Sequence, residues 1–358
     1  MKTKYIALYF LVGFLKPLPI FADTVSISFD NLKTLLESRN VKVEAYRLEV
    51  EAAKLKEGSL NRSFLPQLEF HASQENFKKG SAATKTQPAY GVEAKVNLFN
   101  GGKDSIESDM RDLNTQKKSV QLIKFTASEL LEARTLFWEI LYSQEKIALL
   151  ESVSKINSQN TDSALKRIRS GVATDSDNLK QDLEMAKLQL KTQMDELRLM
   201  LNIDSSSTLQ FPKEIGHEHD FEANIRHSHE DHDVLAKEDE IQSDLSQLSS
   251  QKFKRNWWPK VDAVAGYNQF NELEEDYPDA EQRKESYVGL RVSLSLSDGF
   301  ESNKEAASQA KESAAFRKLA GYQRQQAHSH IENEVAELKL LHSQVHDAEE
   351  NIVRAEKY

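Results

Sequence analysis

The side chains with the most chemical potential are histidines. Five of the ten lie in one short stretch, His217, His219, His227, His229 and His232, among Glu218, Asp220, Glu230, Asp231 and Asp233. Neutral imidazoles beside carboxylates are good zinc or copper ligands, and a His-rich tract is a compositional metal signal. The spacing fits no defined site, however, and a solvated acidic loop has the same composition. The five therefore stand as weak metal candidates only, and no cofactor or metal is assigned. His342 and His346 form a second, smaller pair, four residues apart and so on one face of a helix. The chain has no glycine-rich phosphate loop, no Gly-x-Ser-x-Gly and no His-Glu-x-x-His, so nothing points to an enzyme. The absence of cysteine excludes disulfides, thiolate metal sites and a cysteine nucleophile. The remaining candidate is Arg167-Ile168-Arg169-Ser170-Gly171-Val172-Ala173-Thr174-Asp175, a break between two helical stretches. Gly171 supplies a backbone free to adopt positive φ, and Val172 and Thr174 are placed to face a partner. A plain turn between two helices would need the same glycine.

The elements around these residues follow from composition and period. Of 358 residues, 29% are charged, and Gly and Pro number only 12 and 7. That suits long exposed helices better than a helical membrane bundle or an all-β protein. A net charge of −10 without a basic tract speaks against nucleic acid as a partner. Residues 1–22 read as a secretory signal: Lys2 and Lys4, an apolar run Tyr5–Leu15, helix-breaking Pro17 and Pro19, and Ala22 at the cut. The run falls well short of the roughly 20 apolar residues of a transmembrane helix.

A helix is expected over 30–62, with Leu32, Leu36, Val43 and Val50 at helical spacing, stopping at Phe64-Leu65-Pro66. A strand follows at 67–77, then a polar loop to Pro88 and a strand at 90–99. In the second strand Tyr90, Val92, Ala94, Val96 and Leu98 alternate with Glu93, Lys95 and Asn97. From Asp104 to about Ser170 there is no Pro or Gly. At 1.5 Å per residue this makes a rod of roughly 100 Å with a narrow, coiled-coil-like apolar seam. A return helix covers about 176–202, so the rod is one arm of a helical hairpin with its tip at 170–175.

Residues 204–233 read as an irregular polar connector. A helix is then expected at 234–253, and the earlier pattern returns: Trp257-Trp258-Pro259 before a strand at 261–270, an acidic loop at 271–286, a strand at 287–296 and a helix from Ser302 onward. The domains expected are a signal peptide (1–22), a first repeat (23–203, with a β-hairpin at 67–99), the His-rich connector (204–233) and a second repeat (234–358, with a β-hairpin at 260–296). Trp257 and Trp258, and with them Tyr267, Tyr277 and Tyr287, are candidates for a membrane-interface belt. Four strands cannot close a membrane barrel, which needs about eight, and an open edge in lipid costs several kcal/mol per unpaired group. If these strands lie in a membrane, several chains must pool them, while the polar helices project into water.

On these marks the sequence resembles the TolC-like outer-membrane efflux proteins. The resemblance rests on Phe64-Leu65-Pro66-Gln67-Leu68, on Val96-Asn97-Leu98-Phe99-Asn100-Gly101-Gly102, and on the tip Arg167-Ile168-Arg169-Ser170-Gly171-Val172-Ala173-Thr174 followed by Asp177. It departs where an Asn-Pro pair is often seen, which is Arg39-Asn40-Val41 here. The resemblance implies an α+β fold: a duplicated helix–strand–strand–helix repeat, a long coiled-coil-like helical barrel in the periplasm, and four transmembrane β-strands contributed to a trimeric β-barrel. It further implies a homotrimer set in outer-membrane lipid, whose tip residues Arg167, Ser170, Gly171, Val172, Thr174 and Asp175 dock a periplasmic adaptor coupled to an inner-membrane pump. By the same analogy a second tip is expected near position 369, past Tyr358, so the chain is expected to be a truncated form. Rival readings are a soluble periplasmic coiled-coil adaptor or scaffold, and a periplasmic metal-binding protein using the His-rich connector.

Overall fold

The structure is a computed structural model and describes residues 24–58, 63–77, 85–164, 175–212, 234–270 and 283–356. The expected signal peptide lies outside them. By contact the chain divides into two compact units, residues 1–41 with 129–216, and residues 42–128 with 217–358.

The first unit contains a short parallel ladder, β1 (Thr24–Ser26) on β4 (Thr208–Gln210), with Val25 opposite Leu209. Its second strand, β4, falls within residues 204–233, expected to be irregular. Three-residue strands leave no period to detect, and parallel partners far apart in sequence carry no turn signal. Helix α1 (Leu32–Arg39), the part of α3 (Lys103–Ala164) from Glu129 onward, and α4 (Asp175–Met200) complete the unit. Its core is Ile27, Leu32, Leu36, Phe137, Ile140, Leu197 and Leu201, all fully buried. Phe137 is ringed by Phe29, Trp138 and Phe211 at centroid distances of 6.4, 5.7 and 5.9 Å. Helix α4 closes with Asn202 at φ 47°, the Ile203 N–H reaching the Arg198 carbonyl and the Asn202 N–H that of Leu199. Asparagine is one of the few residues that accepts this left-handed cap.

The single helix expected over 30–62 is instead two, α1 and α2 (Val41–Lys54), because Asn40 leaves the helix at ψ 119°. Its side chain is buried and donates from Nδ2 to Glu129 Oε2 and to the Met200 carbonyl, both at 2.9 Å. A short amide side chain that bonds elsewhere competes with helix continuation, and apolar period alone does not register it.

The second unit is built on two antiparallel hairpins, β2 (Gln67–Phe77) with β3 (Lys85–Asn100), and β5 (Lys260–Phe270) with β6 (Arg283–Ser293). They join through β3 and β5 into one sheet of order β2-β3-β5-β6, with a bulge at Leu98. The strand limits differ from expectation. β3 and β6 begin at Lys85 and Arg283, inside the expected loops, because pairing to β2 and β5 carries polar residues into the ladder. β6 ends at Ser293, so Leu294 and Leu296 lie beyond it. Each hairpin is entered from a helix (α2, and α5 at Val234–Lys254) and leads into another (α3, and α6 at Glu301–Glu356). Helices α5 and α6 pack antiparallel through small residues seven apart, Ala236, Ser243 and Ser250 against Ala306, Ser313 and Ala320. Ser243 bonds Ser313 and Ser250 bonds the Ala306 carbonyl, so small side chains let the backbones approach closely. Among the described residues no helix is long and apolar enough to cross a membrane.

Candidate functional site

The sheet of the second unit has two chemically opposite faces. Register sets them, since successive side chains point to opposite sides and paired residues share a side. One face carries Leu68, Ala94, Ala265 and Val288 in one row and Phe70, Val92 and Tyr267 in the next. These are not core residues: Leu68 is 77% exposed, Phe70 70%, Val288 88% and Leu290 69%. An apolar face about ten residues tall, left open, is what a strand presents to lipid.

The other face is polar and internally bonded. Its rows are Glu69, Glu93, Gly266 and Tyr287; His71, Gly91, Asn268 and Glu285; and Asn97, Asp262 and Arg291. Glu93 on β3 takes both guanidinium N–H groups of Arg291 on β6 at 2.9 Å, and the Tyr287 hydroxyl donates to the same carboxylate. This contact spans the intervening β5 only because position 266 is glycine: a Cβ there would strike the Tyr287 ring. Lys95 reaches the buried carboxylate of Asp262 at 3.4 Å, with Lys260 at 3.8 Å. Asn97 Oδ1, Asp262 Oδ1 and Asn268 Oδ1 are buried without a protein partner, and all three lie on this face. A fork-shaped Arg–carboxylate pair is among the stronger polar contacts, so the polar face is ordered as well as hydrophilic.

Both sheet edges, β2 and β6, have no strand partner among the described residues. In the first unit, Leu131, Trp138, Tyr142 and Leu149 form an exposed stripe at steps of seven and four along α3. That is the spacing of a seam for a further helix.

Of the expected site residues, Arg167, Ser170, Gly171, Val172 and Thr174 lie outside the described residues, and Asp175 is the first residue of α4. His217, His219, His227, His229 and His232 also lie outside them. His342 and His346 are exposed on α6, and His346 approaches Glu350 at 3.6 Å. Among the described residues no group of three or more His, Cys, Asp or Glu could hold a metal. Tyr267 keeps an outward position, but Tyr287, read above as a belt candidate, turns to the polar face and bonds Glu93. Tyr277 is not described. Strand alternation alone does not join Glu93, Tyr287 and Arg291. The signal for this cluster was in the sequence, as charged and aromatic residues in the polar phase of two alternating strands, but the pairing of β3 with β5 was needed to join them.

No protein-family model and no curated protein sequence matches the chain. Solved structures do. A membrane protein from Pseudomonas aeruginosa superposes with a TM-score of 0.67 at 11% identity, over 88% of this chain and 75% of that one. The MtrE outer membrane channel of Neisseria gonorrhoeae, in its open state, gives 0.62 at 13% identity over 86% and 72%. The CmeC outer membrane channel of Campylobacter jejuni gives 0.57 at 12% identity over 94% and 76%. With its two-faced four-stranded sheet and long attached helices, the chain carries the α+β fold of the TolC-like outer-membrane channels.

Proposed function

We propose that the protein is the outer-membrane channel component of a tripartite efflux or export system, a passive conduit rather than a catalyst. The carrying observation is the sheet with one exposed apolar face, one bonded polar face and two open edges. Such a sheet is stable in a bilayer only when its edges are closed, and four strands per chain reach closure when copies pool them. Three copies make a twelve-stranded barrel with Glu93, Lys95, Asp262 and Arg291 lining a wet lumen. The stripe Leu131, Trp138, Tyr142 and Leu149 is then covered by a neighbouring helix, in a helical tunnel across the periplasm. Residues 1–22 direct export, and the helix–strand–strand–helix order, met twice, reflects a duplication. The tip at Arg167, Ser170, Gly171, Val172, Thr174 and Asp175 meets a periplasmic adaptor and, through it, an inner-membrane pump.

The test is fractionation of the full chain. Heat-modifiable trimers that leave the outer-membrane fraction only with detergent support the proposal. A protein wholly soluble in the periplasm overturns it in favour of a scaffold. Gly171→Pro or Val172→Asp is expected to abolish adaptor coupling while membrane insertion persists. Loss of both would make the tip structural.

A further inference from the structure

All four strands meet their helices at one end of the sheet, and the side chains there change character abruptly. The open apolar face ends in exposed Phe64, Phe99 and Trp258. Immediately beyond it stand Lys103, at the start of α3, with Lys252 and Lys254 at the end of α5, Arg255 in the 3-10 turn that follows, and Lys260 at the start of β5. Contacts join Lys103, Arg255 and Trp258, and Lys254 is exposed next to Arg255 in the chain. Arg255 donates from Nη1 to the Gly102 carbonyl at 2.7 Å and lies over the Trp258 ring, 5.8 Å from its centroid. Gly101 holds φ +62°, and a Cβ on it would come within 2.8 Å of Trp258 Cβ, so the turn before Lys103 is pressed against that tryptophan. Lys103 donates to Asn256 Oδ1 at 2.6 Å.

Each nearby carboxylate has at least one partner. Glu107 pairs with Lys252 at 2.8 Å, Asp262 holds Lys95 and Lys260, and Asp298 accepts from the Ser302 N–H at 3.1 Å. Among the described residues no ion pair is formed by Lys254 or Arg255, and Lys103 feels only the nearby charge of Glu107, which Lys252 already holds. Burial, and then the charge of Lys252, hold the Lys103 ammonium below the ordinary lysine value. A cation so placed gains from a further anion. Aromatic rings beside unmatched cations, at the edge of an apolar face, match the chemistry of a phospholipid interface: acyl chain, glycerol and phosphate in order.

We propose that this rim is a binding surface for anionic glycerophospholipid, with Lys103, Lys254 and Arg255 holding headgroup phosphates of the inner leaflet and Trp258 and Phe99 resting at the glycerol level. The inference rests on the channel reading above, which sets this end of the sheet at the periplasmic side of the membrane. It adds a lipid specificity that a barrel does not itself require.

The test reconstitutes the full chain into vesicles of equal phosphatidylcholine and phosphatidylglycerol. Membrane insertion is read by resistance to alkaline extraction. The lipid retained after detergent stripping is read by mass spectrometry. The wild type is expected to retain phosphatidylglycerol preferentially. K254Q/R255Q should insert equally but lose roughly fivefold of that preference per cation, and K254R/R255K should keep it. The single variant K254Q, at an exposed position, guards against a folding defect at Arg255 and should show a partial loss. Failure of the wild type to insert overturns the channel reading itself. Insertion without a phosphatidylglycerol preference, or a preference untouched in K254Q/R255Q, overturns the lipid assignment alone. So does an unchanged preference accompanied by lost capture of a periplasmic protein, which would make the rim a protein-docking surface.

Discussion

The core of the first unit and the outward face of the sheet use the same residue types to opposite ends. Around Phe137, the apolar side chains Ile27, Leu32, Leu36, Ile140 and Leu197 are sealed from solvent within one chain. On the sheet, Leu68, Phe70, Val288 and Leu290 stand open. The hydrophobic effect favours removing both sets from water. Only the first set is removed by folding of the single chain; the second stays exposed in it. Apolar content therefore says little about burial until the geometry states what lies opposite.

Substitutions that treat the two regions alike should separate them. The largest effect is expected from Phe137→Ala, which empties the centre of an aromatic cluster and should cost about 3–5 kcal/mol of the first unit's stability, read by denaturant unfolding. Phe70→Ala removes the same ring from an open face and should leave that transition within about 0.5 kcal/mol. A comparable loss at Phe70 would break the contrast.

The next effect tests which solvent the open face needs. Leu290→Arg should cost about 2–4 kcal/mol of membrane insertion if the site is near mid-bilayer, measured as folding into vesicles. Arg291 next to it already bears a charge on the opposite face, so Arg291→Leu should not impair insertion but should release Tyr287 and Glu93. Equal insertion of Leu290→Arg and wild type would show that the open face does not meet lipid.

Gly266→Val probes the polar face. Its side chain would collide with Tyr287 and break the hydroxyl bond to Glu93, at a cost of about 1–3 kcal/mol. Adding Tyr287→Ala should recover much of the loss, because the clash goes with the ring. No recovery would place the defect in the backbone.

The smallest effect is electrostatic. Hydrogen bonds from Ser302 hold the Asp298 carboxyl below its ordinary value, against a smaller opposing push from burial. A carboxylate with a lowered folded pKa stabilises the folded state above its unfolded pKa, and that contribution disappears as pH falls through the folded value. Unfolding midpoints should thus decline slightly at acid pH around the start of α6. Asp298→Asn, which keeps an acceptor but cannot titrate, should flatten that decline. An unchanged acid limb would show that the carboxyl contributes nothing there.

Much of this could be read from residue order. The alternation of Tyr90, Val92, Ala94 and Val96 with Glu93, Lys95 and Asn97 marks a two-faced strand wherever it sits, because the period of two is local. The rod from Asp104 likewise needs only its missing Pro and Gly and its repeating apolar positions, and the structure runs α3 from Lys103 to Ala164. These features depend on a few neighbouring residues, and a sequence displays neighbours directly.

Other features depended on residues far apart. Asn40 ends α1 because its amide reaches Glu129 and Met200, 89 and 160 positions away. The β1–β4 ladder joins Val25 to Leu209. Glu93 meets Arg291 only because β3 pairs with β5, because their register aligns Glu93 with Gly266, and because Gly266 leaves room for Tyr287. The cations at Lys103 and Arg255 become one rim only when the Gly102 carbonyl accepts from the guanidinium. The sequence by itself determined the long strands and helices and which of their faces are apolar, since period and propensity act over a few residues. Only the tertiary structure decided which polar groups meet and which apolar faces stay open, since hydrogen bonds and burial depend on distance in space rather than along the chain.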